Sequence, residues 1–403
     1  MVIEQTLTEL ETAMEKDVKN LLKFWEDNAP NPKDGSFYGV VNAQLEPQPD
    51  STKVLVLGTR LIWTFSAAYR LLGGDNYKDL AKRAYDYFLR YFMDRGNGGA
   101  FWELNPDGGV FDGSKKTYGQ AFAIYGLSEY YRAFGDERAL KEAISIYHCL
   151  EKYAYDPENK GYYEILTEEW GFDQKKQVSN INPFEAACKT MNTHLHLLEA
   201  YTNLYRVWKD EGLKGKLAEH IEVMVDKIID PDTWHFKLYF NECWESLSPE
   251  VSYGHDIEGS WLLWEAAEIL GDRELMDRVK PITIDMAEAV FNEGWHPEGG
   301  VLYESGPEGV ILAYRSWWVQ AEAVVGFFNA WQLTEEIEYL NGVTKVWEFT
   351  DSEIVDHVHG GWLSFAVSDE KFANRIDGWT CPYHNARMSF EILERIHGIK
   401  ATN

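Results

Sequence analysis

A short signal, an apolar run broken by glycine and aspartate, recurs along the chain. It appears as Leu72-Gly73-Gly74-Asp75, Phe134-Gly135-Asp136-Glu137 and Leu270-Gly271-Asp272-Arg273. Each copy follows one helix-like segment and precedes another. Glycine closes a helix in the left-handed conformation, and aspartate caps the next one. The first two Gly-Asp pairs are 61 residues apart and the second and third 136, about two further periods. Repetition on this scale implies a repeated helical hairpin.

Hydrophobic periodicity fills the gaps and predicts about twelve helices. One set lies near 53–73, 118–134, 184–209, 254–270, 312–333 and 382–397. The other lies near 3–28, 76–93, 137–153, 213–229, 273–291 and 336–355. The first set is apolar on most sides, as in Trp261-Leu262-Leu263-Trp264-Glu265-Ala266-Ala267, and so belongs in an inner ring. The second carries charge on one face, as in Leu80-Ala81-Lys82-Arg83-Ala84-Tyr85-Asp86-Tyr87, and fits an outer ring. Inner-to-outer links are a few residues long. Outer-to-inner links are long: 29–52, 94–117, 154–183, 230–253, 292–311 and 356–381. All the long links must then gather at one end, over the N-termini of the inner helices, and loops of that length are usually functional. Gly98-Gly99, Gly299-Gly300 and Gly360-Gly361, each followed by aromatic residues, read as short hairpins on that rim. The expected fold is all-α, an (α/α)6 barrel over residues 1–403 as one catalytic domain. An open solenoid is the weaker alternative, because six equal pairs can close.

With 45% hydrophobic residues the chain can build a large core. Its formal charge of −28 argues against nucleic acid and anionic membranes as partners. The 16 tryptophans suit either carbohydrate stacking or ordinary packing of a large helical barrel. Cys149, Cys188, Cys243 and Cys381 show no C-x-x-C spacing, which argues against a zinc ribbon or dithiol site. Met1-Val2-Ile3-Glu4-Gln5 leads into a charged amphipathic helix with no export signal, and no apolar run reaches membrane-spanning length. A cytoplasmic protein, monomeric or a weak homodimer, is the expectation.

The ring geometry brings particular residues to the mouth. Arg60 lies two turns into the first inner helix and Tyr118 opens the second. Asn192 and His196 share a face of the third, at i and i+4. His255 opens the fourth, with Glu258 one turn on. Trp317 and Trp318 begin the fifth, and Trp379 and His384 flank the start of the sixth. Each alone has an ordinary structural explanation as a cap, an ion pair or core. Their convergence does not, because burying three histidines and an arginine unpaired is costly. His194-x-His196 is not a chelating pair, since i and i+2 point about 200° apart on a helix. His255, Glu258 and His384 could in principle share a metal, but no ligand motif is present, and neither metal nor cofactor is expected.

Four segments carry a resemblance. They are Thr59-Arg60-Leu61-Ile62-Trp63-Thr64-Phe65-Ser66-Ala67-Ala68-Tyr69-Arg70, Lys189-Thr190-Met191-Asn192-Thr193-His194-Leu195-His196-Leu197-Leu198-Glu199-Ala200-Tyr201, Ser252-Tyr253-Gly254-His255-Asp256-Ile257-Glu258-Gly259 and Trp379-Thr380-Cys381-Pro382-Tyr383-His384-Asn385. In order and over essentially the whole chain, they resemble the signature segments of cellobiose 2-epimerases, in the N-acylglucosamine 2-epimerase superfamily. The resemblance implies an (α/α)6 barrel, no required cofactor, and interconversion of glucose and mannose at the reducing end of β-1,4-linked disaccharides such as cellobiose and lactose. It implies roles for Arg60, His196, His255, Glu258, Trp318, Trp379 and His384, with Asn192 and Tyr118 in support.

That chemistry suits these residue types. The ring opens, the C2 proton leaves from a carbon next to the aldehyde, and a proton returns on the opposite face. Arg60 offers fixed positive charge to the enediolate oxygens. Neutral histidine suits proton abstraction near pH 7. His255 and His384 can address opposite faces, share ring opening and proton transfer, or leave a single base to work on an intermediate that rotates. Glu258 would orient His255 or hold a hydroxyl, His196 would polarise O1, and Trp318 and Trp379 would stack on sugar rings. By position His255 has an acid one turn away, whereas His384 stands alone. Three rivals remain. A glycoside hydrolase would need two flanking carboxylates from among Glu258, Asp256 and Glu185. The others are a ketose-forming isomerase and a noncatalytic sugar-binding barrel.

Overall fold

The computed structural model describes residues 2–178, 183–369 and 373–402. Among them are twelve α-helices. They are α1 (Val2–Asn28), α2 (Leu55–Leu72), α3 (Asp75–Tyr87), α4 (Thr117–Phe134), α5 (Glu137–Cys149), α6 (Met191–Val207), α7 (Glu211–Val223), α8 (Tyr253–Leu270), α9 (Arg273–Glu293), α10 (Trp317–Thr334), α11 (Ile337–Glu353) and α12 (Tyr383–Thr402). The even-numbered helices touch in the order α2, α4, α6, α8, α10, α12 and back to α2, closing a ring. Each odd-numbered helix packs outside its hairpin partner, and α1 packs on α12. This is the (α/α)6 barrel expected from the repeat.

Composition separates the two layers. In α4 burial runs unbroken from Thr117 to Tyr130, because inner helices are covered on all sides. In α3 only Leu80, Ala81, Ala84 and Tyr85 are buried, the single stripe of an outer helix. One contiguous apolar cluster joins the layers. No helix among the described residues is long and apolar enough to cross a membrane.

The Gly-Asp punctuation works as read at two links. Gly135 (φ 66°) and Gly271 (φ 75°) end α4 and α8 in the left-handed conformation, and Asp136 and Asp272 cap α5 and α9. At the first link Gly73 and Gly74 make the turn between them, and Asp75 is already the first residue of α3. The other two inner-to-outer links hide the signal. Glu335 takes the left-handed position (φ 63°) without being glycine, and α6 ends at an extended Trp208 before Asp210 caps α7.

Two inner helices begin later than periodicity indicates. α6 starts at Met191 rather than near 184, because Lys189–Thr190 is extended and pairs with Tyr239–Phe240. α10 starts at Trp317 rather than 312, because Gly309–Leu312 forms a hairpin with Glu304–Gly306, which also pairs with Val251–Ser252. The long links share a sixfold device. Each begins with a turn closed by an antiparallel bridge: Pro30 with Phe37, Met93 with Ala100, Tyr155 with Tyr162, Ile229 with Phe236, Trp295 with Val301, and Val355 with Trp362. Three copies use Gly-Gly at positive φ. In two others Lys160 (φ 63°) and Trp234 (φ 64°) stand where the first glycine would be, which hid the repeat in the sequence.

Candidate active site

Over the N-termini of the inner helices lies a cavity of about 330 Å³. Arg60, Tyr118, Asn192, His196, His255, Glu258, Trp318, Trp379 and His384 all line it. They come from all six inner helices and one long link, so only ring closure brings them together. Trp317, also expected at the mouth, lines it too, as do Tyr303 and Asp377, which stand out less in the sequence.

The histidines differ in their support. His384 Nδ1 donates to Glu322 Oε1 at 2.6 Å. His255 Nδ1 lies 2.8 Å from the hydroxyl of Ser252. His196 Nδ1 donates to Glu199 Oε2 at 3.1 Å. Their Nε2 atoms are the ring nitrogens left to meet a substrate. The expected asymmetry is therefore reversed. Glu258 does not hold His255; its Oε1 accepts from Arg387 Nη2 and lies 3.8 Å from His384 Nδ1. His384, which looks isolated in sequence, has the carboxylate partner. The reason is that one turn of spacing places Glu258 on the floor of the ring, facing α12, rather than beside the imidazole of its own helix.

Beneath the cavity Arg387 is fully buried and bridges three carboxylates. It donates to Glu199, Glu258 and Glu322, the last at 2.7 Å, and also to the Tyr383 hydroxyl. Trp261 Nε1 donates to the other oxygen of Glu322 at 3.0 Å. Glu322 is the only charged residue in α10, and an acid in so apolar a helix is the signal that could have found it. Burial drives Glu199 upward, but Arg387, His196 and Tyr383 outweigh it and hold its carboxyl at about 2. Burial and the Glu322 charge push Glu258 well above the carboxylate range. One cation cannot neutralise three acids: burial raises Glu322 as well, against the pull of Arg387 and Trp261, and Glu258 is the one driven well above that range. Among the described residues its Oε2 has no partner, nor has Asn192 Oδ1.

Burial lowers all three imidazoles. His255 falls to about 3 through desolvation and the nearby His196. His384 falls well below 6.5 through desolvation and the charges of Arg60 and Arg387. His196 is lowered by burial against the opposing pull of Glu199. All are neutral bases at pH 7. Arg60 is only 2% exposed. It donates to the Tyr118 hydroxyl at 3.1 Å and to Cys381 Sγ at 3.4 Å, and lies over the rings of Phe122 and Tyr383. Among the described residues it has no carboxylate partner, and its Nε is unpaired.

The stacking residues take up separate positions. The Trp318 ring touches both His255, at 4.8 Å between centroids, and His384, at 5.5 Å. Trp379, 37% exposed, lies at the rim against Tyr118. His194 faces away, bonded to Thr190 O and accepting from the Tyr162 amide.

Glu258, Glu322 and His384 bring ligand-type atoms within 4.8 Å of one another. The Arg387 guanidinium already binds both of those carboxylates, so a metal ion would have to displace it. Of the three acids a hydrolase could draw on, only Glu258 lines the cavity. Asp256 is engaged by His235 and the Phe236 amide, and Glu185 is exposed away from the cavity. The flanking pair that glycoside hydrolysis needs is not assembled from them.

Comparison with known proteins gives the family. The profile of the N-acylglucosamine 2-epimerase family matches residues 35–387. A cellobiose 2-epimerase of Bacteroides fragilis is 42% identical over 95% of this chain and 98% of its own length. One of Dictyoglomus turgidum is 35% identical over 93% and 96%. The solved structure of cellobiose 2-epimerase from Spirochaeta thermophila superposes with a TM-score of 0.90 at 33% identity, covering 99% of this chain and all of that one.

Proposed function

The chain belongs to the N-acylglucosamine 2-epimerase family, and from that premise we propose that it works as a single-domain, cytoplasmic cellobiose 2-epimerase. It converts the reducing-end glucose of cellobiose or lactose to mannose and back, without cofactor or metal. The observation that carries the reading is Arg60. A buried guanidinium without a counter-ion is costly, and a substrate that becomes anionic only during reaction supplies the missing charge. An enediolate does so; a glycosidase intermediate, which is cationic, does not.

The opened sugar places O1 and O2 against Arg60, with His196 and Asn192 holding the aldehyde end. As the ring opens, one imidazole Nε2 takes the O1 proton while O5 takes one from water. The other neutral imidazole Nε2 then removes the C2 proton, the first returns its proton to the opposite face, and ring closure reverses the O1 and O5 transfers. The two histidines are not equivalent in this task. His384 gains its proton with the Glu322 carboxylate behind it, so its imidazolium is the better stabilised. His255 has only the Ser252 hydroxyl and is the better acid once protonated. We therefore assign His384 as the base from the glucose side and His255 as the donor to the mannose side, with the roles exchanged in reverse. Glu258, protonated, donates to a sugar hydroxyl. Trp318 packs under the reacting sugar and Trp379 under the second ring.

Incubation with cellobiose in deuterated water, followed by NMR, tests this. The expected product is an intact disaccharide with mannose at the reducing end and deuterium at C2. Free glucose, or a ketose as the main product, would sink the reading.

A further inference from the structure

α8 starts without the usual cap. Ser252 occupies the N-cap position, but its hydroxyl is committed to His255 and makes no bond to the helix backbone. The first turn is held from outside instead. Asp256, fully buried and next in sequence to His255, accepts from the Phe236 amide at 2.8 Å and from His235 Nδ1 at 2.8 Å. His235 lies in the fourth long link and is 4% exposed. Its Nε2 lies 3.2 Å from Glu293 Oε2, on the last residue of α9, and the Tyr253 ring meets its edge. The link is seated tightly here, since a Cβ on Gly259, one turn along, would lie 2.2 Å from the Phe236 ring.

We propose that His235 is a positioning residue for the epimerisation, acting through Asp256 to fix the start of α8 and so the aim of His255 into the cavity. The inference rests on the epimerase reading. Successive helical residues diverge by about 100°, so when His255 points inward Asp256 points to the outer layer, where His235 meets it. Burial opposes charge on His235, but Asp256 and Glu293 outweigh it and raise the imidazole to about 9. The groups facing it are Asp256 and Tyr253 from α8 and Glu293 from α9. Bound between two carboxylates it is doubly anchored below that pH. Above it, His235 becomes neutral and can donate to only one of them.

The test is the pH profile of cellobiose epimerisation for the wild type and for His235→Gln, a neutral donor that cannot take the charge. The wild type is expected to lose kcat as pH rises through about 9, with KM within twofold. His235→Gln is expected to have at least about fivefold lower kcat at pH 7.5, near-normal KM, and no alkaline limb. Wild-type kcat in a folded variant, or persistence of the limb, overturns the proposal. If that variant does not fold, Glu293→Gln serves, since the residue is at the surface. Its limb is expected to move to lower pH, and an unmoved limb overturns the proposal. Imidazole ¹H–¹⁵N spectra separate the two readings. Wild-type enzyme inert on cellobiose defeats the epimerase assignment. Unchanged His255 resonances in the variant defeat the positioning role whether or not there is turnover.

Discussion

His384 and Glu322 form a buried imidazole–carboxylate pair, Nδ1 to Oε1 at 2.6 Å, although 62 residues separate them. Glu322 also accepts from Arg387 and Trp261, so both of its oxygens are fixed. That pair sets the tautomer of His384 and supplies the charge that stabilises its protonated form. Glu322→Gln keeps an acceptor oxygen but removes the charge. The expected result is a fall of about 100-fold in kcat, within the range of general acid–base catalysis, with KM within threefold. Initial rates on cellobiose check it, and unchanged kcat would remove Glu322 from the mechanism.

Arg387→Met leaves Glu199, Glu258 and Glu322 facing one another without a cation. Removing one partner of a buried ionic cluster costs about 3–5 kcal/mol, read as a lower urea midpoint. The sign with pH follows from the lost guanidinium. Carboxyls that it holds down, Glu199 above all, would rise above their unfolded values. A carboxyl raised in the folded state costs nothing below its unfolded value, destabilises increasingly as pH rises towards its folded value, and does so fully above that. The defect is therefore expected to be larger at pH 8 than at pH 5. An equal defect at both would show that packing, not charge, dominates.

The neutral state of the imidazoles predicts a flat acid side. His255 protonates only near 3 in the folded enzyme. Its kcat/KM profile should accordingly show no break at the ordinary histidine value of 6.5 and stay level to about pH 5. The stability consequence has a definite sign. The unfolded chain binds protons that folded His255 refuses between 6.5 and about 3, so stability falls as pH drops through that window, and His384, also held below 6.5, acts in the same direction. An activity limb near 6.5 would mean that a different, exposed histidine is the base.

Much of this was legible in the sequence because the ring is periodic. Inner-helix starts follow from loop lengths, and a residue one or two turns inside such a start must face the mouth. All ten residues expected at the mouth line the cavity, nine of them for that reason and Trp379 from the link just before α12. The support beneath them was not legible. Glu199, Glu258, Glu322 and Arg387 meet across the ring, and periodicity on one helix cannot say which residue of the opposite helix it faces. His384 therefore looked unsupported, while Glu258 looked like the partner of its own neighbour. The sixfold turn in the long links was hidden for a different reason, since backbone geometry persists at Lys160 and Trp234 after glycine is lost.

Trp379 offers a separable test of binding. It lies at the rim, 37% exposed, and touches Tyr118 but no imidazole. Trp379→Ala is expected to raise KM for cellobiose about tenfold, or about 1.4 kcal/mol, with kcat within threefold. Loss confined to kcat would place the ring against the reacting carbon instead.

Arg60 separates stability from catalysis. Its guanidinium is buried and unpaired by any described carboxylate, compensated only by a hydroxyl, a sulfur and two aromatic faces. Those ring contacts return about 0.5–2 kcal/mol, less than the several kcal/mol that burying an ion costs. Arg60→Met fills the same space without charge. It is expected to raise the urea midpoint, a gain of about 1–2 kcal/mol, while lowering kcat by about 10²–10³ because the enediolate loses its fixed charge. Most substitutions at buried positions destabilise, so a more stable and inactive variant would be a specific outcome. A destabilised Arg60→Met would mean that the cation is satisfied in the resting enzyme. The argument from its missing counter-ion to an anionic intermediate would then fail with it.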